Sequence, residues 1–134
     1  MARRKITPPE PIALVPRVKV WLETEGRSYA FGFGLAEILQ AVDRARAIKQ
    51  AAADLGKSYR YVWGRIKKAE QVLGRLLVHT KVGGQGIQRS SLTPEARQLT
   101  AAFLEFRTGM IQAAGRTFPE CFGKNILAGS PARV

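Results

Sequence analysis

The sequence has a single cysteine, Cys121, and a single histidine, His79, among its 134 residues. No disulfide can form within the chain, and no zinc site can be assembled from cysteine and histidine side chains. A Ser-His or Cys-His catalytic pair would need His79, whose alternating surroundings are typical of an exposed or half-buried strand position. Paired carboxylates in a pocket-like context are also missing. The sequence therefore indicates no enzyme, no metal site and no cofactor.

Long apolar runs and acidic residues are scarce as well. No apolar stretch could span a bilayer and none has the pattern of a signal peptide, so we expect a cytoplasmic protein without a membrane partner. Only 10 Asp+Glu stand against 22 Lys+Arg, which gives a formal net charge of +12 and a pI of about 10.7. This charge favours a polyanionic partner, nucleic acid before an anionic membrane surface. A basic surface with no partner is the plain alternative.

Residues 46–73 predict two short helices joined by a tight turn. Apolar residues recur at helical spacing in both halves, and the second half adds a basic face. The small Ala52 allows the two helices to cross closely, and Gly56 can adopt the positive φ that ends the first helix. Ser58 is a suitable N-cap for the second helix, and Val62 is placed to lock the pair into a core. This spacing predicts a helix-turn-helix.

An arm, a hairpin and a helix are predicted before this motif. Residues 1–16 are rich in proline and basic side chains, which favours a disordered arm. Residues 18–33 alternate on either side of a turn and predict a β-hairpin, and residues 35–42 carry one apolar helical face. The intervening Gly32-x-Gly34 lacks the third glycine and the βαβ unit of a dinucleotide-binding motif. We interpret it as a sharp strand-to-helix corner.

A period of two replaces the helical period after Gly74 and predicts a wing over residues 76–92. Its two short strands are separated by a glycine loop, residues 83–86, that lacks the Lys-Ser/Thr ending of a phosphate-binding P-loop. A plain hairpin is the alternative. If the wing lies beside nucleic acid, four of its side chains can donate to phosphate oxygens, namely Lys81, Gln85, Gln88 and Arg89.

The last long helix is predicted to begin at Thr93-Pro94, because Thr93 can cap a helix and proline fits the first helical position. Apolar side chains then follow at alternating spacings of three and four, which predicts the seam of a helix-to-helix dimer. The seam consists of Ala96, Leu99, Phe103, Phe106 and Met110. Packing of this stripe on the core of its own domain is the alternative. The period is lost from Gly115, so we expect a tail over residues 115–134.

Five segments, in this order along the chain, are similar to a known family. They are Gly32-x-Gly34, AAADLGKSYRYVW at residues 51–63, Gly74-x-Leu76-Leu77-Val78, Val82-Gly83-Gly84-x-Gly86 and Leu92-Thr93-Pro94-Glu95-Ala96. Together they resemble the N-terminal DNA-binding domain of the molybdate-responsive (ModE-type) transcriptional regulators, itself similar to the LysR-type winged helix. The resemblance covers about residues 18–107. It implies a DNA-binding dimer.

Two departures from that family bear on function. The family's wing usually continues with further glycines, where this chain has Ile87-Gln88-Arg89. Full-length members also carry C-terminal oxyanion-binding modules, and we expect this chain to be too short to contain one. The resemblance therefore implies DNA binding without molybdate sensing, and no small-molecule effector is evident in the sequence.

The predicted fold is mainly α with a small β component (α+β), a winged helix-turn-helix with an N-terminal β-hairpin and a long C-terminal dimerisation helix. It would occupy residues 17–114, between the arm and the tail. The predicted function is sequence-specific binding of double-stranded DNA by a dimeric, bacterial-type transcriptional regulator, with helix 58–73 in the major groove. The alternatives are a basic RNA- or ribosome-associated protein and a small molybdate- or tungstate-binding protein.

Particular roles follow for the helix-turn-helix. Its predicted DNA-binding residues are Lys49, Lys57, Ser58, Tyr59, Arg60, Tyr61, Arg65 and Lys68. Ser58 and Arg60 are expected to reach base edges, the other cations are expected to contact phosphates, and one of the two tyrosines is expected to pack in the domain. Trp63 is predicted to lie in the core. Gly64, unusual in a helix interior, either lets the backbone approach DNA closely or has no role.

Overall fold

The computed structural model describes residues 10, 12–84 and 88–123. They contain β1 (Trp21–Glu23), β2 (Tyr29–Gly32), α1 (Phe33–Ala45), α2 (Ile48–Leu55), α3 (Tyr59–Leu73), β3 (Val78–Val82), β4 (Gln88–Leu92) and α4 (Pro94–Phe122). Residues 19–108 form one compact unit, and the described residues on either side of that range form another. Within the described ranges, no helix is both long enough and apolar enough to cross a bilayer.

Local signals define the turn between α2 and α3. Gly56 ends α2 with a φ of 68°, in the left-handed region that glycine adopts most easily. Ser58 begins α3 by accepting a hydrogen bond of 3.0 Å at its Oγ from the Tyr61 N–H. Ala52 and Val62 are both buried. The predicted helix-turn-helix is therefore confirmed, with its glycine turn and its serine cap.

Two small antiparallel sheets complete the fold, β1 with β2 and β3 with β4. The second sheet follows α3 directly, and its register runs from Val78 opposite Leu92 to Val82 opposite Gln88. The Ser90 N–H donates a hydrogen bond of 2.9 Å to the carbonyl oxygen of Arg46, which ties β4 to the α1–α2 corner. Strand, loop and strand at this place form the wing of a winged helix-turn-helix.

The core of residues 19–108 is built from all three short helices and one end of α4. Its buried apolar side chains include those of Leu35, Leu39, Val42, Ile48, Val62, Ile66 and Leu77. Phe31 of β2 meets Phe103 of α4, with ring centroids 5.2 Å apart in a tilted arrangement that aromatic pairs favour. The hairpin and α4 thus contribute to the same core as the helix-turn-helix.

This core corrects the predicted dimer seam. Ala96 is fully buried and Phe103 is only 2% exposed, so neither side chain is available to a partner chain. Leu99 is half-buried and packs against the same core. The apolar residues keep their alternating spacings of three and four along the whole stripe. The first turns of the helix nevertheless cover the core, whereas its later turns lie at the surface. Phe106 and Met110 are exposed by 48% and 38%.

α4 also extends further than the period predicts. It is helical to Phe122, with Gly115 and Pro119 inside it, so the prediction of a tail is wrong for residues 115–122. Glycine weakens a helix by about 1 kcal/mol without forbidding it. The rings of Phe118 and Phe122 stack with centroids 4.7 Å apart, an (i, i+4) pair that supports the last turn.

Other helix and strand boundaries differ from the predicted ones by a few residues. α1 begins at Phe33 rather than at residue 35, and β3 begins at Val78 rather than at Leu76. Leu76 is exposed, Leu77 and Val78 are both buried, and the rest of β3 is exposed, so burial does not follow the predicted alternation there. Residues 12–16 of the predicted arm have no regular secondary structure. Residues 1–9 and 11 of the arm and 124–134 of the tail lie outside the described ranges.

Candidate nucleic-acid interface

One face of α3 is turned away from the core. Val62, Ile66 and Ala69 are buried on the inner face. Because successive helical residues are rotated by about 100°, the opposite face carries Arg60, Gly64, Lys67, Lys68 and Gln71, which we call the outward face of α3. Gly64 lies at its centre, and a Cβ built there would have no heavy atom within 4 Å. The backbone is therefore open to a close approach at this point.

The cations of the outward face differ in how they are neutralised. Arg60 and Lys68 are exposed, and within the described residues neither side chain has a hydrogen-bond or ion-pair partner. Lys67 is paired, because its Nζ lies 3.2 Å from Oε1 of Glu70. Arg60 and Lys68 consequently keep their donors and their charge for an external partner.

The N-terminal end of α3 presents a hydroxyl and two aromatic rings. The Oγ of Ser58 accepts the capping bond, and its hydroxyl can still donate. Tyr59 and Tyr61 are both 44% exposed, so the expectation that one of them packs in the domain is wrong. Lys57 lies above Tyr61, with its Nζ 5.6 Å from the ring centroid. Polar and cationic groups are concentrated at this end of the helix.

The flank of α3 nearer the wing carries Trp63. Its side chain is 43% exposed, and Lys67 Nζ lies 5.7 Å from the ring centroid, so the prediction of a core tryptophan is wrong. Trp63 follows Val62 by one residue, which rotates it away from the core onto the flank. Tyr59 and Trp63 line a cleft with Gln88 of the wing. Lys49 of α2 lines an adjoining cleft with the same tyrosine and glutamine.

The wing brings together two exposed cations. Lys81 and Arg89 are direct cross-strand partners, and Gln88 stands beside them at the start of β4. Like charges directly opposite each other destabilise a strand pair, and an anion between them would relieve the repulsion. Gln85, the remaining wing residue predicted to bind DNA, lies outside the described residues. The described part of the wing is thus suited to an anionic partner.

Glu70 supports the position of the wing, a role that was not predicted from the sequence. It is the only carboxylate between Lys57 and Arg89, and it is buried. Its Oε2 accepts hydrogen bonds from the N–H groups of Leu77 and Val78, at 2.8 and 3.2 Å. The carboxylate therefore fixes the start of β3 to α3. The signal that could have found it is its place in the apolar stripe, four residues after Ile66.

We predict that Glu70→Gln lowers the free energy of unfolding by about 1–2 kcal/mol, because an amide oxygen replaces a charged acceptor at two buried N–H groups. Thermal unfolding followed by circular dichroism should show a melting temperature lower by roughly 3–8 °C. Glu37→Gln is the matched control, since Glu37 is an exposed helical glutamate. Equal effects of the two substitutions would contradict the role of Glu70.

Arg65 lies on the other flank of α3, next to the N-terminal hairpin. Its Nη1 donates a hydrogen bond of 2.8 Å to the Tyr61 hydroxyl oxygen, and its Cζ lies 5.7 Å from the centroid of that ring. Tyr29 of β2 approaches from the other side, with its centroid 6.0 Å from Cζ. Arg65 is half-buried, so it lies on the flank of α3 and not on the outward face.

The exposed charged side chains of α3 and the wing are all positive. Residues 57–89 hold eight Lys+Arg, namely Lys57, Arg60, Arg65, Lys67, Lys68, Arg75, Lys81 and Arg89, against Glu70 alone. Because Glu70 is turned inward, the exposed side chains of α3 and the wing include no carboxylate among the described residues. Such a surface attracts polyanions.

Comparisons with known proteins agree with the resemblance found in the sequence. Residues 33–97 match the family model of the bacterial regulatory helix-turn-helix proteins, lysR family. The molybdenum transport protein ModE of Herbaspirillum seropedicae is 31% identical over 70 residues, which are 52% of this chain. The chain spans only 26% of the length of that relative.

A solved structure, the complex of BenM_DBD with benA site 1 DNA, aligns with a TM-score of 0.49 and 19% sequence identity. The alignment covers 68% of this chain and 97% of that one. The matched segment of the family model begins at the first residue of α1 and ends in the first turn of α4, so it contains α2, α3 and the wing and excludes the N-terminal hairpin. Residues 33–97 of this chain are therefore similar to the lysR-family helix-turn-helix model over α1, α2, α3 and the wing.

Proposed function

We propose that this chain is a transcriptional regulator of bacterial type that binds double-stranded DNA with sequence preference through α3 and the wing, and that it is not an enzyme. One observation carries the proposal: among the described residues, the outward face of α3 bears two unpaired cations, Arg60 and Lys68, and no carboxylate, while Glu70, the one acid of α3, is buried. The family of the matched segment, the regulatory helix-turn-helix proteins, supports it.

We assign base recognition to the first turn of α3. In helix-turn-helix proteins the second helix enters the major groove with its N-terminal residues toward the bases. Arg60 can donate to two acceptors of a guanine, and the Ser58 hydroxyl can donate to a neighbouring base edge. The open surface at Gly64 lets the helix backbone approach the groove. These residues would supply sequence preference.

We assign phosphate contacts to the exposed cations around that turn. Lys49 and Lys57 flank the helix-turn-helix, and Lys68 lies two turns along α3 from Arg60. In the wing, Lys81 and Arg89 with Gln88 can donate to the DNA backbone, and Gln85 belongs to the same proposed set. These contacts would supply affinity that is nearly independent of sequence.

The bound form is proposed to be a homodimer. Phe106 and Met110 are exposed apolar side chains of α4, four residues apart on one helix. A helix-to-helix contact would cover them, and a two-fold dimer would present two copies of α3 to a two-fold symmetric site. The proposed compartment is the cytoplasm, since bacterial chromosomal DNA lies there.

Competition between nucleic acids tests this proposal against an RNA-binding function. Labelled duplex DNA is bound to the chain in a gel-shift assay and challenged with unlabelled duplex DNA or with duplex and single-stranded RNA of equal length. The proposal expects DNA to compete better than either RNA, because an α-helix fits the major groove of B-form DNA and not the narrow groove of A-form RNA. Equal or better competition by RNA would overturn it.

A further inference from the structure

The Gly32-x-Gly34 corner has no part in the proposed base or phosphate contacts, yet both glycines have close neighbours. A Cβ at Gly32 would collide with the Tyr29 ring, whose Cζ lies 3.0 Å from that position. A Cβ at Gly34 would lie 3.7 Å from Nη2 of Arg65. The missing side chain of Gly32 therefore makes room for the Tyr29 ring, and the Arg65 guanidinium lies over Gly34.

Arg65 is consequently held from three directions. Tyr29 faces its guanidinium from the hairpin, Tyr61 faces it from α3 and accepts its hydrogen bond, and Gly34 lies beneath it. A guanidinium has more N–H donors than the bond to Tyr61 uses. The remaining donors have no partner among the described residues, and the side chain is half-buried rather than covered. The guanidinium is oriented in advance but still able to bind an anion.

The position of Arg65 relative to the wing indicates which phosphate backbone it can bind. Trp63 and Tyr59 mark the flank of α3 toward the wing, and Arg65 and Tyr61 lie on the opposite flank. A helix in the major groove has one phosphate backbone on each side. The wing offers Lys81 and Arg89 to one backbone, whereas Arg65 faces the other side.

We propose that Tyr29 is a positioning residue, which together with Tyr61 holds Arg65 ready to bind a backbone phosphate on the flank of α3 away from the wing. The inference rests on the proposed DNA-binding function and adds the N-terminal hairpin to the machinery. Tyr29 lies outside the matched segment 33–97. Fixing a long, flexible side chain before binding reduces the entropy that is lost on binding.

A double-mutant cycle in DNA binding tests the coupling of Tyr29 to Arg65. The probe is a duplex of about 30 base pairs. Its sequence is arbitrary, because a phosphate contact does not depend on sequence. The dissociation constant of the complex is measured by fluorescence anisotropy at several salt concentrations. Arg65→Ala should weaken binding about tenfold and lower the salt slope by about one for each phosphate that Arg65 no longer neutralises. Tyr29→Ala should weaken binding about two- to fivefold in the native background and not at all in Arg65→Ala.

Two variants of the same hairpin serve as controls. Tyr29→Phe keeps the ring and should bind like the unmodified chain. Trp21→Ala removes another half-exposed aromatic, whose Nε1 donates to Glu23 and which does not contact Arg65, and it should also bind normally. If Tyr29→Ala weakened binding equally with and without Arg65, or had no effect, the positioning role would be overturned.

Proton NMR of the free chain tests the arrangement without DNA. Ring currents should shift the Arg65 side-chain methylene resonances, and the shift should diminish in Tyr29→Ala and persist in Tyr29→Phe. Unchanged shifts in Tyr29→Ala would overturn the proposal even if that variant bound DNA poorly through loss of folding. If the unmodified chain bound no duplex, the proposed function itself would fail; normal duplex binding without coupling would overturn only the role of Tyr29.

Discussion

The affinity for duplex DNA is expected to fall about 10³- to 10⁵-fold when the salt concentration is raised from about 50 to 200 mM. The reason is the release of counterions from each phosphate that a cation neutralises. Each chain offers Lys49, Lys57, Lys68, Lys81 and Arg89 as exposed phosphate donors. A dimer would then engage roughly six to ten phosphates, the number that gives a slope of this size.

The measurement is a series of anisotropy titrations at increasing salt, plotted as the logarithm of affinity against the logarithm of salt concentration. Lys68→Ala should lower the slope by about one for each phosphate that Lys68 neutralises in the unmodified chain. Arg75→Ala is the matched control, because Arg75 lies beyond the end of α3 in a groove with Leu99 and should leave the slope unchanged. A slope near zero for the unmodified chain would contradict the phosphate contacts altogether.

Arg60→Ala is expected to remove most of the sequence preference at one position of the site. Arg60 is exposed in the first turn of α3 and has no intramolecular partner among the described residues, so its donors are available to a guanine. Loss of a bidentate contact should weaken binding to the preferred site by about 1–3 kcal/mol, or roughly five- to 150-fold. Binding to random duplexes should weaken far less.

Lys68→Ala provides the comparison for Arg60→Ala, since both residues lie on the outward face of α3 and both changes remove one positive charge. Lys68→Ala should weaken preferred and random duplexes to the same degree, because a phosphate contact carries no sequence information. The assay compares dissociation constants for the two duplexes in each variant at one fixed salt concentration. If Arg60→Ala weakened both duplexes equally, its assignment to base recognition would be wrong.

The helix-turn-helix could be predicted because its signals are local. Gly56 and Ser58 determine the turn and the cap through their own backbone and side-chain chemistry. Ala52 and Val62, which are both buried, lie close to that turn in the sequence. The wing followed from a change of period directly after α3. These features need no knowledge of the remaining fold.

The features that could not be predicted depend on contacts between distant segments. Phe103 and Phe106 belong to the same alternating stripe, but Phe103 packs on Phe31 in the core and is buried, whereas Phe106 is exposed. Trp63 is half-exposed, although tryptophan is usually buried. Glu70 is buried, although a carboxylate is usually exposed. Hydrogen bonds to the start of β3 compensate Glu70, and a sequence pattern does not reveal them.

We propose above all that the first turn of α3 recognises the base sequence of double-stranded DNA. Selection of bound duplexes from a random pool tests it most directly. The expected result is an enriched motif with two-fold symmetry, and loss of a guanine preference when the selection is repeated with Arg60→Ala. A pool that stays random after repeated selection by the unmodified chain would contradict the claim.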